Sequence, residues 1–345
     1  METSQYIDYI LEQTKKVLSI DSPSSYTKEV CDYVLEAYRS MGYNAMQTVK
    51  GGILVDLGGK DSDNAIVLEA HVDTLGAMVA EIMDNGRLRL ERIGGLNPNN
   101  AEAENCHVIT RSGKRYEGTF QLKNASIHVN GEYNDTKRTY DSMELVLDED
   151  VKTKEDVLAL GILTGDIVAF EPRTRITESG YIKSRFLDDK LSVGILLGFA
   201  KYLREEQITP ARKIYHYITV FEEVGHGGCA SIPSCAKEIL SVDMGCVGDG
   251  LTCTERQVSI CAKDSRGPYH YEVVSALIET AKRLHLDFSV DIYPHYSSDV
   301  DTALIAGYDI RHGLVGAGVY ASHGYERSHI DGVKNTFLLL VGYLC

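Results

Sequence analysis

The chain has 345 residues, 43% hydrophobic and 25% charged, which is typical of a soluble globular protein with one large domain or two smaller ones. Its formal net charge of −15, with no basic block to offset it, argues against nucleic acid or an anionic membrane as a partner. The sequence has no run of about 20 apolar residues, which excludes a transmembrane helix.

The N-terminus and the cysteines indicate the compartment. The first residues, Met1 to Gln5, lack the basic start and the apolar core of a signal peptide. The eight cysteines include no Cys-x-x-Cys pair, so we expect reduced thiols and no zinc ribbon. The sequence therefore predicts a cytoplasmic protein.

The chain begins with two predicted helices. The first places Ile7 and Ile10 on its buried face, and the second begins near Thr27 and stops at Gly42. Two short strands and a longer apolar run follow. Because continuous apolar strands alternate with helices, we expect an α/β fold with a mixed, mostly parallel sheet and helices on both faces.

The character of the sequence changes between residues 74 and 173. Short alternating strands are separated by turn sequences such as Asp84-Asn85-Gly86, and one short helix is predicted over 153–160. This pattern predicts a small, β-rich, barrel-like domain. It would be inserted into a catalytic α/β domain that consists of 1–73 and 174–345.

Beyond the insertion, helices and strands alternate again. A strong amphipathic helix is predicted over 189–206, and two apolar strands follow it. A further helix is expected to start at Pro268, because proline favours the first helical turn. The last apolar run, 336–344, is expected to form a packing helix.

Histidines and carboxylates stand at the ends of several of these elements. Five separated places supply them: His71, Asp188, Glu222-Glu223, Asp243 and His323. Most of them follow an apolar run, and ligands of open α/β sheets bind at the carboxyl ends of the strands. Nitrogen and carboxylate ligands without thiolate suit zinc, cobalt or manganese. The set predicts a two-metal hydrolase.

A two-metal site needs one carboxylate that bridges the cations, and Asp188 is the candidate. His71 and Asp243 could complete one ion, and Glu223 and His323 the other, although Asp243 and Glu223 could be exchanged.

Two further carboxylates have expected roles outside the ligand set. Glu222 would stay unligated, accept a proton from the activated water and pass it to the leaving amine. Asp73 lies two residues from His71, so we expect it on the same strand face, where it could orient the imidazole.

In chain order, five motifs carry a resemblance: His-x-Asp, Phe-Leu-Asp-Asp, Glu-Glu-Val-Gly, Asp-Met-Gly and Ser-His-Gly-Tyr-Glu-Arg. Together they resemble the tetrahedral-type dinuclear metallo-aminopeptidases, which include glutamyl and deblocking aminopeptidases. The resemblance spans nearly the whole chain and implies a zinc-peptidase fold with two divalent ions, zinc or cobalt first and manganese as an alternative. The implied metal ligands are His71, Asp188, Glu223, Asp243 and His323.

The resemblance also implies roles for other parts of the chain. Glu222 would be the general base and Asp73 its supporting carboxylate, and the Asp188–Asp189 peptide bond would often be cis. The inserted domain would form a dimerisation and access surface, with dimers that assemble into a dodecamer.

We therefore expect an aminopeptidase that removes N-terminal residues from short peptides. Two alternatives remain open: a metal-dependent deacylase or other hydrolase on the same scaffold, and a non-catalytic, metal-stabilised assembly protein. The preferred N-terminal residue, the native metal and the role of His226 are also open. The segment Ser297-Ser298-Asp299 could line the substrate cleft, or Ser298 or Asp299 could cap a helix.

Overall fold

The computed structural model describes residues 3–345, so Met1 and Glu2 of the predicted N-terminal segment lie outside the described residues. The described chain forms a mixed α/β domain with a separate small barrel, which confirms the predicted fold class. Within residues 3–345, no helix combines the length and the apolar character needed to cross a bilayer.

The strands fall into three consecutive groups along the chain. The first group is β1 (Asn44–Gln47), β2 (Ile53–Gly58) and β3 (Asp61–His71). The second group forms the barrel: β4 (Gly76–Ile82), β5 (Leu88–Ile93), β6 (Glu104–Ile109), β7 (Arg115–Leu122), β8 (Met143–Leu147) and β9 (Ile167–Phe170). The third group returns to the large sheet: β10 (Arg175–Ile176), β11 (Tyr181–Ser184), β12 (Arg212–Thr219), β13 (Ala236–Val242), β14 (Gly245–Val247), β15 (Val258–Lys263), β16 (Phe288–Ile292), β17 (Arg311–Tyr320) and β18 (Glu326–His329).

The helices separate and cover these strands. In chain order they are α1 (Ser4–Leu18), α2 (Lys28–Ser40), α3 (Pro98–Ala101), α4 (Lys154–Ala159), α5 (Leu187–Glu205), α6 (Tyr271–Arg283), α7 (Asp299–Ile305) and α8 (Ile330–Leu344). The helix α5 packs against β3 and against α1, and α8 packs against β17. Because α5 begins beside the edge of the sheet, its first turn lies close to the strand ends.

The centre of the large sheet is parallel. Its strands run in the order β12, β3, β13 and β17, and each neighbouring pair in this row is parallel. The carboxyl ends of these four strands therefore lie at one edge of the sheet. The outer strands are mostly antiparallel, so the sheet as a whole is mixed. Residues 65–71 of β3 are all buried, as expected for a strand covered on both faces.

The barrel closes through antiparallel pairs in the order β4, β5, β8, β7, β6 and β9. Buried side chains such as Leu90, Val108 and Phe120 fill it. The turn Asp84-Asn85-Gly86 connects β4 to β5, with Gly86 at a φ of +76° that favours glycine. The predicted short helix is present as α4, and Thr153 and Asp156 form its capping box.

One predicted helix boundary is wrong. The helix expected from Pro268 begins instead at Tyr271, as α6. Pro268 pairs with Lys263 in an isolated antiparallel bridge, and Tyr269 donates its backbone N–H to the carbonyl of Ala262 at 3.1 Å. These contacts keep the chain extended after the proline, so the helix starts three residues later.

Candidate metal centre

Four neighbouring parallel strands deliver the predicted site residues to one edge of the sheet. His71 is the last residue of β3, and Asp243 follows β13 directly. Glu222 and Glu223 form a short 3₁₀ turn that follows β12. His323 comes three residues after the end of β17. The side chains meet because the four strands are adjacent and run in the same direction.

Asp188 lies between the two histidines. One of its carboxylate oxygens, Oδ1, is 3.2 Å from His71 Nε2, and the other, Oδ2, is 3.6 Å from His323 Nε2. His323 Nε2 is also 3.6 Å from Glu223 Oε2. A carboxylate that points one oxygen toward each of two nitrogen ligands has the arrangement expected of a bridge between two cations.

The orientation of His71 is fixed by its other ring nitrogen. Its Nδ1 lies 2.9 Å from the backbone carbonyl oxygen of Asp73, an acceptor, so Nδ1 carries the proton. Because Nδ1 is the donor to this carbonyl, Nε2 is the ring atom that faces Asp188 and that would bind a cation. Histidines that bind metal usually donate their second ring nitrogen in this way.

The carboxylate of Asp73 holds the turn that carries the two glutamates. Its Oδ1 accepts the backbone N–H of Glu222 at 3.1 Å, and its Oδ2 accepts that of Glu223 at 3.4 Å. Ser24 donates its hydroxyl to Oδ2 at 2.5 Å. Because β3 ends at His71, the expected shared strand face does not exist, and it is the Asp73 backbone that makes the hydrogen bond to the imidazole.

The acids at this edge have perturbed pKa values. Burial, followed by the charge of Asp188, raises the pKa of Asp243 to about 7 and that of Glu223 well above its usual value. Burial also raises the pKa of Glu222 well above the usual value. Burial alone would lower the pKa of His71, but its hydrogen bond to Asp188 and the charges of Glu222 and Asp243 raise it. The site thus lacks the positive charge that its acids require.

The donor atoms fit divalent cations. One ligand atom each from His71, Asp188 and Glu223 lie within 4.8 Å of one another, and so do those of His71, Asp189 and Asp243. All are nitrogen or carboxylate oxygen, the donor set of zinc, cobalt and manganese. Glu222 belongs to neither group. Its side chain is 15% exposed, whereas that of Glu223 is 4% exposed.

Two buried acids at the site had no role in our sequence interpretation. Asp189 accepts the backbone N–H of His71 at 3.2 Å through Oδ2, while its Oδ1 has no hydrogen-bond partner in the described chain. Glu326 accepts the backbone N–H groups of Asp188 at 3.1 Å and His323 at 2.9 Å. The adjacent Asp-Asp pair and the glutamate three residues after His323 were the available sequence signals.

The backbone conformation is unusual at the turns that carry the proposed metal ligands. The Asp188–Asp189 peptide bond is cis, as the resemblance implied. Phe186 and Phe221 both have positive φ values, +66° and +71°, and each stands just before a ligand-bearing turn. Left-handed conformations are uncommon for bulky residues and tend to cluster at functional sites.

Of the remaining candidates, Ser297 lines the pocket beside the site, whereas Ser298, Asp299 and His226 do not. Ser298 forms a capping box with Asp301 at the start of α7, so it caps a helix. Asp299 is buried and accepts the hydroxyl of Thr219 at 2.5 Å. His226 is exposed and stacks on Phe221, with ring centroids 5.0 Å apart.

Comparisons with known proteins identify the family of this chain. The family described as M42 glutamyl aminopeptidase matches residues 51–339. The chain is 43% identical over 334 residues to YhfE of Bacillus subtilis (strain 168), covering 97% of this chain and 96% of that protein, whose aminopeptidase name is itself a prediction. It is 26% identical over 219 residues to the lysyl aminopeptidase of Pyrococcus furiosus, covering 63% of this chain and 60% of that one.

Solved structures share the fold. The aminopeptidase APDkam598 from the archaeon Desulfurococcus kamchatkensis superposes with a TM-score of 0.87 at 24% identity, covering 100% of this chain and 95% of that one. The Pyrococcus horikoshii TET1 peptidase, which can assemble into a tetrahedron or a large octahedral shell, has a TM-score of 0.84 at 20% identity, covering 96% and 98%. The match of the family over most of the chain, together with the 43% identical relative, shows that this chain belongs to the M42 aminopeptidase family.

Proposed function

We propose that this protein is a two-metal aminopeptidase that removes N-terminal residues from short peptides in the cytoplasm. The observation that carries the proposal is the carboxylate of Asp188, whose two oxygens lie 3.2 Å from His71 Nε2 and 3.6 Å from His323 Nε2. Asp188, His71 and Asp243 or Asp189 would hold one divalent ion. Asp188, Glu223 and His323 would hold the other.

The protein's own residues supply the proton transfers. When bound, a pair of divalent cations polarises the scissile carbonyl and lowers the pKa of a water molecule to about 7. Glu222 takes up the proton of that water and delivers it to the leaving amine. Its side chain lines the pocket and belongs to neither group of clustered ligand atoms, which supports this role.

Two side chains keep these groups in position. Asp73 binds the backbone of Glu222 and Glu223, so it fixes the base and a ligand relative to each other. Glu326 binds the backbone of Asp188 and His323 from the other side. By accepting hydrogen bonds from the backbone, each carboxylate fixes the positions of the neighbouring ligands and base, and catalysis is sensitive to small displacements of such groups.

Hydrolysis of free and N-acetylated peptides tests the reaction directly. Chelated protein would be reloaded with zinc, cobalt or manganese and given matched peptides that differ only at the N-terminus. We expect cleavage of free N-termini alone, and only after a metal is added. Cleavage of acetylated peptides alone would indicate a deacylase, and activity that persists in the chelated protein would contradict the metal mechanism.

We also propose that residues 74–173 act as an inserted assembly and access domain between the catalytic segments 1–73 and 174–345. The connection between β7 and β8 exposes two apolar side chains, Ile127 at 58% and Val129 at 75%, a feature that is typical of contact surfaces. A solved relative is a dodecamer. Sedimentation at micromolar concentration should give a large homo-oligomer, in which dimers form a dodecamer, and a stable monomer would contradict this.

A further inference from the structure

A pocket of about 390 Å³ opens beside the candidate metal centre. Part of its wall consists of the centre itself, namely Asp188, Glu223, Asp243 and His323, together with Glu222. If the metal centre holds the scissile peptide bond, as the proposed function requires, the rest of the wall would face the side chain of the N-terminal residue. Its side chains are Met244, Cys246, His295, Tyr296, Ser297 and Ser322.

None of these six side chains has a permanent charge. Cys246 presents a thiol and Tyr296 a phenol, and both are neutral, polar groups. Met244 is 4% exposed and presents a thioether, and Ser297 presents a hydroxyl. His295 is exposed. Apart from His323 of the metal centre, it is the only histidine among the residues that line the pocket.

The charged groups of this region are already engaged. Three carboxylates of the pocket wall belong to the proposed metal ligands, and Glu222 is needed as the base. The nearby Lys50 donates to the backbone carbonyls of His226 and Gly227, and the buried Lys190 donates to that of Ile20 at 2.7 Å. Neither lysine lines the pocket. Among the described residues that line the pocket, a charged substrate side chain would therefore find no free opposite charge.

We propose that this pocket selects peptides whose N-terminal side chain is uncharged, with Met244, Cys246, Tyr296 and Ser297 as the specificity-determining residues. The inference rests on the proposed aminopeptidase function and defines its substrate class. It separates this chain from the relatives whose names specify lysyl and glutamyl substrates. Leucine, methionine and other apolar or small residues are the expected N-termini.

The size of the preference follows from the cost of desolvating a charge. A lysine or glutamate side chain loses its hydration on entering a pocket that offers no ion pair, whereas an apolar side chain gains by burial. We expect kcat/KM for an N-terminal leucine to exceed that for glutamate or lysine by at least about 100-fold.

Tripeptides of the form X-Ala-Ala, with Leu, Met, Ala, Glu or Lys as X, test this with cobalt-reloaded protein. The assay is run at pH 8. A preference for Leu, Met and Ala supports the proposal. Glu or Lys cleaved as fast as Leu would overturn it, and no cleavage of any peptide would contradict the aminopeptidase function on which it rests.

A single added charge should change the preference. The variant Ser297→Arg places a cation in the pocket and should raise kcat/KM for Glu-Ala-Ala relative to Leu-Ala-Ala by at least about 10-fold, the ratio expected for one new ion pair. The matched control is Ser40→Arg, which adds the same charge to the exposed end of α2. An unchanged ratio in a folded, metal-replete Ser297→Arg protein would remove Ser297 from the specificity determinants.

Discussion

Two groups of buried acids in this protein have opposite surroundings. Glu104, where the barrel meets the large-sheet domain, lies 2.5 Å from Arg185 and 2.9 Å from Arg173. Glu223 and Asp243, at the strand ends, form no ion pair with a lysine or arginine in the described chain, and their charged neighbours are histidines and other acids. A buried charge without a partner is costly. The difference indicates that the chain itself neutralises the acid at the junction, whereas the acids at the sheet edge depend on cations from solution.

The largest expected effect is on the reaction at the sheet edge. Glu222→Gln removes the proposed base and keeps the shape of the side chain, so we expect kcat to fall by about 10²–10⁴-fold. Because Glu222 belongs to neither ligand group, bound metal should stay at the wild-type level. Steady-state kinetics and elemental analysis on the same sample measure both. Wild-type turnover in metal-loaded Glu222→Gln protein would exclude it as the base.

Breaking the ion pair between Glu104 and Arg185 should lower the stability of the fold and leave metal binding unchanged. Arg185→Met leaves Glu104 buried without its closest cation, so we expect a loss of about 3–5 kcal/mol in the free energy of unfolding. Denaturant titration of the chelated protein measures the loss. Arg173 is the matched control, because its side chain is 45% exposed and Arg173→Met should cost no more than about 1 kcal/mol. Equal losses in the two variants would remove the contrast.

His216 offers a third kind of surrounding, with neither an acid nor a cation. It is fully buried, and Tyr38 Oη lies 2.8 Å from its Nδ1. Burial lowers its pKa to about 3. Because the unfolded chain binds this proton near pH 6.5 and the folded chain does not, stability present above pH 6.5 is lost as the pH falls toward 3.

Between pH 6.5 and 4.5 this residue should cost about 2–3 kcal/mol of stability. Unfolding titrations at the two pH values, compared between wild type and His216→Asn, isolate its share. The wild type should lose more stability than the variant. Identical pH dependence would show that His216 is not held in its neutral form.

The smallest expected effect is a gain in stability. Glu223→Gln removes a buried acid that has no lysine or arginine partner in the described chain, so the chelated variant should be more stable than chelated wild type by about 1–2 kcal/mol at pH 8. The same variant should bind less metal. Glu178→Gln, at an exposed position, is the control and should change stability by less than about 0.5 kcal/mol. A destabilised Glu223→Gln protein would mean that this carboxylate stabilises the fold without metal.

The part of the site that could be predicted from the sequence is the part fixed by strand ends. His71 and Asp243 follow continuous apolar runs, and such runs form parallel strands whose carboxyl ends meet. The barrel was predictable for a similar reason, because turn residues and alternation are local signals. The start of α6 was not, since Pro268 suits both a first helical turn and the extended bridge that it makes with Lys263.

Contacts between distant segments could not be read from the sequence. The carboxylate of Asp73 binds the backbone of Glu222, 149 residues away, and Glu326 binds that of Asp188, 138 residues away. Such hydrogen bonds depend on how loops from separate strands approach each other. The hydrophobic periodicity of the sequence does not indicate that approach. For the same reason, the place of Tyr296 in the pocket wall became visible only in the folded chain.

The most direct test of the central claim is the number of metal ions that the chain binds. Chelated wild type and Asp188→Asn would each be saturated with cobalt, and bound cobalt would be counted by elemental analysis and by its visible spectrum. If Asp188 bridges two cations, the wild type should bind two ions per chain and Asp188→Asn at most one. A wild type that saturates with fewer than two ions, or an Asp188→Asn protein that still binds two, would contradict the account.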